Sequence, residues 1–436
     1  MKKALLLAAT LLMAGGAAQA QKIDFVPYAD NGYITGDVIS PNGRYVGGGD
    51  GGGQAFICDM TTGEIKYFFS PNLGEDSDTG NASSVVCSLT DEGVGVGYVE
   101  NYAARFDFAT GSYELLSEDW KTIKVTNEDG SFMCGYGFDE SYTTTPYWWK
   151  DGELKTLPQP GQACMDFVSG GASTTAASAD GETIIGYAVD DFYTMPLLVW
   201  HRDLGDSTYS VRALCTKYFD STYDLDGRQP YGYFEGAAIS ANGKWILLNY
   251  NVKDPDWSLN TGIELARYDV EADTMQTLIC PDANASFYYY GTGIANDGTV
   301  VGYTEDQMTM ARQGVICRAG ETEVKLMRDE LSGIKEVGEM EADEMNTPCA
   351  ITPDGRYVQG FGYVNLSEED LCFGTYRIDL LETDAVENAP QAAESSRVKE
   401  AYTIDGRRAR VGQNRGIVVE RMANGKARKV LPRLAK

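Results

Sequence analysis

The chain has 436 residues, of which 43% are hydrophobic, and it carries a formal net charge of −28. This acidic balance argues against nucleic-acid binding, because phosphates require a basic surface. Beyond residue 20 no window approaches the roughly 18 apolar residues of a spanning helix, so no membrane span is predicted.

Residues 1–20 have the pattern of a secretory signal peptide. Lys2 and Lys3 form a positive segment, residues 4–13 are apolar, and residues 18–20 make a small-x-small cleavage site. We therefore predict an exported protein that begins at Gln21 and resides in the periplasm, on the cell surface or outside the cell.

A tight turn followed by a β-branched or aromatic segment recurs seven times after the leader. The glycines of these turns are Gly43, Gly93, Gly130, Gly181, Gly243, Gly298 and Gly355. Glycine supplies the positive φ that such hairpins need. The spacings are 50, 37, 51, 62, 55 and 57 residues, around the period of roughly 40–50 residues typical of β-propeller blades.

Each repeat reads as four short strands, of which the first two flank the Gly turn. Radial packing of such sheets buries both of their faces and leaves only short edges. The sequence therefore predicts an all-β, seven-bladed β-propeller over residues 21–381. The seventh repeat lacks a fourth strand, and we expect residues 23–26 to supply it and so close the ring.

A second set of glycines follows the turn by a few residues: Gly47, Gly97, Gly135, Gly186, Gly302 and Gly360. Their recurrence indicates a bulge or a close backbone approach in each blade. The run at residues 47–53 lacks the Gly-Lys-Ser/Thr ending of a phosphate-binding loop, so it is not interpreted as one.

The connections from second to third strand and from one blade to the next are long, and both emerge on one face of the disc. Long loops on a rigid frame are the usual place for recognition. Tyrosine and tryptophan offer flat contact area with a polar handle, which suits glycans or peptides. The candidate ligand-binding residues are Tyr142, Tyr193, Tyr218, Tyr231, Trp257, Tyr289 and Asp191.

Metal and cofactor sites have little support in the sequence. Asp220, Asp224 and Asp226 place oxygen ligands on a turn as Ca²⁺ prefers, without the full EF-hand spacing. Such clusters also arise by chance among 64 acidic residues. Calcium therefore stays an alternative at this turn, and no other cofactor is predicted.

Nucleophilic catalysis is disfavoured because His201 is the single histidine and no Gly-x-Ser-x-Gly motif accompanies it. We interpret it as a packed or hydrogen-bonded residue at a strand end. The nine cysteines, an odd number, are interpreted mainly as small buried hydrophobic residues rather than as a disulfide framework.

The repeat unit, Ser-x-Asp/Asn-Gly-x-x-Val-x-Gly followed by an apolar-aromatic strand, resembles the extracellular HAF-type and TolB/WD40-like propeller repeats. Residues 382–396 read as a linker. Residues 397–436 contain 12 Lys/Arg and 3 Asp/Glu, which gives +9 and leaves −37 for residues 1–396. Three motifs of this tail, Tyr-Thr-Ile-Asp-Gly-Arg-Arg at 402–408, Gly-Ile-Val-Val at 416–419 and Gly-Lys-Ala-Arg-Lys-Val at 425–430, resemble the C-terminal module of Bacteroidetes exported proteins. The resemblance implies a small β-sandwich related to type IX sorting signals.

Three functional hypotheses follow, and the sequence fixes no oligomeric state for any of them. The first is a binding or scaffold protein that recognises a glycan or a protein through the long-loop face. The alternative is a glycan-active hydrolase or lyase that uses carboxylates, with or without calcium, on the same face. A structural envelope protein without a discrete ligand comes third. The sequence favours a binding protein over an enzyme.

Overall fold

The computed structural model describes residues 23–27, 34–50, 53–69, 84–139, 143–150, 153–159, 171–188, 197–202, 208–214, 238–253, 260–281, 283, 286–330, 347–367, 370–380, 398–403, 408–409, 418–422 and 427–430. The chain divides into two compact units, of which the first ends at Leu380 and the second begins at Leu381. No helix in the described ranges is long and apolar enough to cross a membrane.

The first unit is a ring of seven blades, in which strand β1 (Ile23–Pro27) precedes the first complete blade. Blade 1 contains β2 (Ile34–Ile39), β3 (Tyr45–Asp50), β4 (Ala55–Asp59) and β5 (Glu64–Phe68). Blade 2 contains β6 (Ser84–Leu89), β7 (Val94–Val99), β8 (Tyr102–Asp107) and the first part of β9 (Ser112–Thr126). Blade 3 contains the rest of β9, β10 (Phe132–Phe138), β11 (Thr144–Lys150) and β12 (Glu153–Thr156).

The remaining blades repeat this order. Blade 4 contains β13 (Ala172–Ala177), β14 (Thr183–Ala188), β15 (Leu197–His201) and β16 (Ser210–Ala213). Blade 5 contains β17 (Ala238–Ile239), β18 (Trp245–Lys253), β19 (Asn260–Asp269) and β20 (Thr274–Thr277). Blade 6 contains β21 (Phe287–Ile294), β22 (Val300–Asp306), β23 (Arg312–Cys317) and β24 (Lys325–Leu326), followed by the single helical turn α1 (Met327–Glu330). Blade 7 contains β25 (Thr347–Ile351), β26 (Tyr357–Ser367) and β27 (Asp370–Asp379).

The ring is closed by β1, as the sequence predicts. β1 pairs antiparallel with β27 from Ile23–Ile378 to Pro27–Gly374, and so becomes the fourth strand of blade 7. The Asp24 carboxylate forms an ion pair with Arg377, and Arg377 also donates a hydrogen bond to the Gly43 carbonyl of blade 1. The strand therefore links the two ends of the propeller chain.

The predicted boundary between blades 2 and 3 needs a correction. The sequence predicts a separate outer strand at residues 113–116, whereas β9 runs without interruption from Ser112 to Thr126 and serves both blades. Residues 117–121 contain no glycine, proline or asparagine to end a strand. This direct passage also explains why the spacing of 37 residues is the shortest of the six.

The apolar core of the described residues consists of clusters that each lie between two neighbouring blades. Val46, Phe56 and Cys58 of blade 1, for example, pack with Val26 of blade 7. Equivalent clusters fill the other six interfaces around the ring. Burial thus arises from radial packing of sheets, and it leaves the inner strands facing the axis.

The seven turn glycines all have positive φ, which confirms the turn assignment. Adjacent turns also bind each other: the Asn42 N–H donates to Asp91 Oδ1 at 2.7 Å, and the Asn242 N–H donates to Asn296 Oδ1 at 2.8 Å. These short turns make one face of the disc. Most residues of the long loops on the opposite face lie outside the described ranges.

The second unit contains β28 (Val398–Thr403), β29 (Arg408–Ala409), β30 (Val418–Met422) and β31 (Ala427–Val430). They form one antiparallel sheet in the order β29-β28-β30-β31. The expected sandwich would need a second sheet, and no further sheet occurs among the residues described in this unit.

Candidate functional site

A β-bulge recurs in the innermost strand of the blades. In six blades one residue of the first strand has no partner in the second strand, and the register shifts at that point. The unpaired residues are Asp37, Cys87, Lys124, Thr175, Thr292 and Cys349, which we call the inner ring. The equivalent position of blade 5, residue 237, lies outside the described ranges. All six side chains are polar or thiol-bearing, in contrast to the apolar clusters between the blades.

The bulges explain the second set of glycines. A Cβ atom at Gly97 would overlap the carbonyl oxygen of Val85, and one at Gly135 would overlap that of Thr122. The same holds for Gly186, Gly302 and Gly360 against the inner strands of their own blades. The predicted close backbone approach is therefore confirmed. Blade 1 is an exception. There the residue just before the bulge, Gly36, pairs with Gly48 and not with the predicted Gly47.

Asp37 is the carboxylate of the inner ring. The Asp37 side chain is open to water on one side, as its exposed surface area shows. Protein atoms of the ring nevertheless desolvate the carboxyl group, and this desolvation raises its pKa to about 6. The Cys349 Sγ atom lies 3.9 Å from Asp37 Oδ1. Because burial dominates at both neighbours, the pKa of the Cys349 thiol stands well above its usual range and that of Cys87 is also raised. The carboxyl can therefore exchange a proton near neutral pH while both thiols stay protonated.

We expect Asp37→Asn to alter the pH dependence of stability. The folded-state pKa of Asp37 is raised, so its contribution to stability is complete below pH 3.8 and is lost as the pH rises through about 6. The melting temperature of Asp37→Asn minus that of the native protein should therefore increase between pH 4 and pH 7. Glu92→Gln, on an exposed turn, is the control, and a constant Asp37→Asn offset across this range would contradict the assignment.

Lys124 is the cation of the inner ring, and three tyrosines surround it. Its Nζ atom lies 5.9 Å from the ring centroid of Tyr98 and 5.8 Å from that of Tyr136. Burial lowers the pKa of Lys124, but its neighbours Cys87, Tyr136, Tyr98 and Tyr187 together raise it by more. The net shift of the Lys124 pKa is therefore upward. We call Tyr98, Tyr136 and Tyr187 the tyrosine collar. Each follows the bulge-facing glycine of its strand and is partly exposed.

A second cation near the hub has a carboxylate partner. The Arg312 Nε atom donates to Glu305 Oε2 at 2.6 Å, and the Arg312 guanidinium lies 4.6 Å from the Tyr303 ring centroid. Lys124, by contrast, makes no ion pair with any carboxylate in the described part of the chain. Among the described residues, Lys124 is therefore an ammonium group that lies against aromatic rings and has no carboxylate partner.

Of the candidate ligand-binding residues, Tyr289 falls within the described ranges. The sequence places it in a long loop, whereas it lies in strand β21 with 6% of its surface exposed, and its hydroxyl donates to the Pro281 carbonyl. The run of three tyrosines favours a strand and contains no turn residue, which is why β21 begins at Phe287. Tyr142, Tyr193, Tyr218, Tyr231, Trp257 and Asp191 lie outside the described residues, as do Asp220, Asp224 and Asp226.

Other site predictions have definite outcomes. His201 ends strand β15, and its Nδ1 atom lies 3.2 Å from Thr183 Oγ1, so it is hydrogen-bonded as expected. Cys58, Cys87, Cys134, Cys280, Cys317 and Cys349 are free thiols. Within the described ranges no group of three or more His, Cys, Asp or Glu side chains is arranged to hold a metal ion.

Sequence reasoning missed the inner ring, although the sequence carries a signal for it. Each bulged residue stands six positions before the turn glycine of its own repeat, as in Lys124 and Gly130. Alignment of the seven repeats on these glycines places Asp37, Cys87, Lys124, Thr175, Thr292 and Cys349 in one column, in which the seventh residue is Ala237. A polar column inside a strand that forms the hub marks residues that face the axis.

No family model matches the sequence, and no curated protein matches it significantly. Among solved structures, TolB from Acinetobacter baumannii is 14% identical with a TM-score of 0.31, over 69% of this chain and 67% of that chain. A putative TolB from Agrobacterium tumefaciens is 10% identical with a TM-score of 0.36, over 72% and 89%. A chain of the Mitotic Checkpoint Complex is 10% identical with a TM-score of 0.42, over 86% and 97%. At these values no functional argument rests on the similarity.

Proposed function

We propose that the protein is an exported binding or scaffold protein that recognises an extracellular or periplasmic glycan or protein through its long-loop face and hub. The observation that supports this most is the inner ring, where six blades each place a polar or thiol-bearing side chain at the axis. Polar groups held on a rigid frame suit the recognition of a ligand.

The tyrosine collar supports the choice of face. Strand β7 runs from the short turn at Gly93 towards the long-loop side, and Tyr98 follows Gly97 in that direction. Tyr136 and Tyr187 occupy the same place in blades 3 and 4. Partly exposed tyrosines at this end of the hub would add to the contact surface that the sequence predicts for loop aromatics such as Tyr142 and Trp257.

A glycan array with the mature chain, residues 21–436, tests this proposal. Thr175→Tyr narrows the hub, whereas Thr110→Tyr places the same side chain on an exposed turn of the opposite face. We expect native binding to survive in Thr110→Tyr and to weaken in Thr175→Tyr. Equal binding by both variants would contradict a role for the hub, and no captured glycan or protein would favour a structural envelope role.

The alternative is a hydrolase or lyase on the same face, and Asp37 is the observation that favours it. A carboxyl with a pKa of about 6 suits general acid–base work near neutral pH. Glycoside hydrolysis also needs a second carboxylate about 5–10 Å away. Release of fragments from a polysaccharide, abolished in Asp37→Asn, would establish this function in place of simple binding.

Export and sorting complete the proposal. The leader at residues 1–20 would direct secretion, and the basic module at residues 397–436 would act as the Bacteroidetes-type, type IX-like sorting domain that it resembles. A chain without residues 397–436 should be cleaved at Gln21 but stay in the periplasm. Cell fractionation and mass spectrometry of the N-terminus test both steps, and unchanged surface delivery of the shortened chain would contradict the sorting role.

A further inference from the structure

The geometry points to a carboxylate-binding site in the hub, formed by the Lys124 ammonium with the hydroxyls of Tyr136 and Tyr187, which takes a uronic acid residue of an acidic sugar. This inference rests on the proposed binding function and names its ligand class. The site lies on the inner strand of blade 3 and the second strands of blades 3 and 4.

Lys124 is the charged group of the proposed site. Its pKa is raised, so the side chain stays an ammonium ion throughout the physiological range. It has no carboxylate partner among the described residues, whereas Arg312 of the same hub is paired with Glu305. An ammonium group set among aromatic rings is partly desolvated, and an incoming anion would therefore gain a stronger attraction there than at an open surface.

Tyr136 and Tyr187 are the hydroxyl donors of the proposed site. Tyr136 and Tyr187 both stand close enough to Lys124 for their phenols to affect its pKa. Neither hydroxyl donates to or accepts from another group in the part of the chain that the structure describes. An ammonium and a phenolic hydroxyl both donate hydrogen bonds, and hydrogen bonds to an ionised acceptor such as a carboxylate are the stronger kind.

A sugar is the proposed carrier of the carboxylate. The collar offers ring faces beside the ammonium, and such faces pack against the C–H surfaces of a pyranose. The propeller is strongly acidic, with −37 over residues 1–396 (24 basic and 61 acidic residues). An acidic propeller repels a ligand protein with many negative charges more strongly than a single sugar unit with one negative charge.

Calorimetric titration of the mature chain with galacturonate and glucuronate tests the site. The matched neutral ligands are galactose and glucose, and acetate supplies a carboxylate without a sugar. We expect both uronates to bind, the neutral sugars to bind at least about tenfold more weakly, and acetate to be intermediate. Affinity for acetate equal to that for galacturonate would overturn the sugar assignment, and so would tighter binding of a short peptide through its C-terminal carboxylate.

Variants separate this site from the wider binding function. Lys124→Met should weaken uronate binding at least about tenfold, and Tyr187→Phe should weaken it by about threefold without the loss of a ring. Lys155→Met is the matched control, since Lys155 also lies over an aromatic ring, 5.4 Å from the Trp148 centroid, but on the outer strand of blade 3. Circular dichroism of each variant reports whether it is folded.

The outcomes are distinguishable. Absence of uronate binding at millimolar concentration, or equal binding by Lys124→Met and Lys155→Met, would overturn the carboxylate site. If array ligands still bound Lys124→Met normally, the proposed function would stand and this inference alone would fail. A second readout is the Cys87 thiol beside Lys124, whose alkylation should slow in the presence of galacturonate, whereas that of Cys280 should not.

Discussion

A chain that begins at residue 28, and so lacks β1, should lose on the order of 5 kcal/mol of unfolding free energy. The loss combines the partly buried side chains of Phe25 and Val26 with the ion pair between Asp24 and Arg377. It also exposes the edge of β27, which should promote self-association. Urea unfolding measures the first effect, and size-exclusion chromatography measures the second.

A matched pair of point variants separates side-chain packing from the general effect of truncation. Phe25→Ala should cost about 3 kcal/mol, whereas Phe69→Ala should cost less than about 0.5 kcal/mol. Phe25 packs against the core between blades 6 and 7, and Phe69, just after β5, is 62% exposed. If the shortened chain unfolded at the same urea concentration as the native one, β1 would not be the strand that closes the ring.

The second large effect concerns the glycines that face the bulges. Gly135→Ala should destabilise the propeller by about 3 kcal/mol, since the new methyl group would overlap the Thr122 carbonyl oxygen and force the strands apart. Gly320→Ala is the control because Gly320 has a φ of +75° but open space around it. It should lose about 1 kcal/mol through backbone strain alone.

Comparison of these two glycine variants by chemical denaturation isolates the steric cost. A similar loss for both would mean that backbone freedom, rather than the bulge, requires glycine at position 135. A loss that is larger at Gly135 by about 2 kcal/mol would support a bulge that holds Lys124 towards the axis. The unfolding slope should stay unchanged in both variants, since neither alters the surface exposed on unfolding.

The blade count and the ring closure could be predicted because their signals are local. An Asp-Gly or Asn-Gly turn such as Asp180-Gly181 is determined by a few adjacent residues, and seven copies give seven blades. Closure by β1 followed from a missing fourth strand in the last repeat. The joined strand β9 is harder to predict, because a strand that serves two blades has the same local pattern as two separate strands.

The site was harder to predict because a bulge changes which face a residue occupies. In a regular strand, side chains point alternately to the two faces of the sheet, so Lys124 would share a face with Thr122. The bulge leaves Lys124 unpaired and breaks this alternation. Tyr289 shows the opposite problem, since three consecutive tyrosines do not reveal which of them points inward. Tyr289 is buried in the core, while Tyr290 stacks on Tyr303 with ring centroids 5.1 Å apart.

Alkylation of the native protein, read cysteine by cysteine with mass spectrometry, tests most directly whether the hub is lined by solvent-accessible bulge residues. Cys87 and Cys349 belong to the inner ring and are partly exposed, whereas Cys58, Cys134 and Cys317 are buried between blades. Burial raises the pKa of all five thiols, so little thiolate forms in any of them, and a small reagent is used in large excess at about pH 9 to compare their access. We predict modification of Cys87 and Cys349 in the folded state, with the other three protected until unfolding. Equal protection of all five would contradict an open, polar hub.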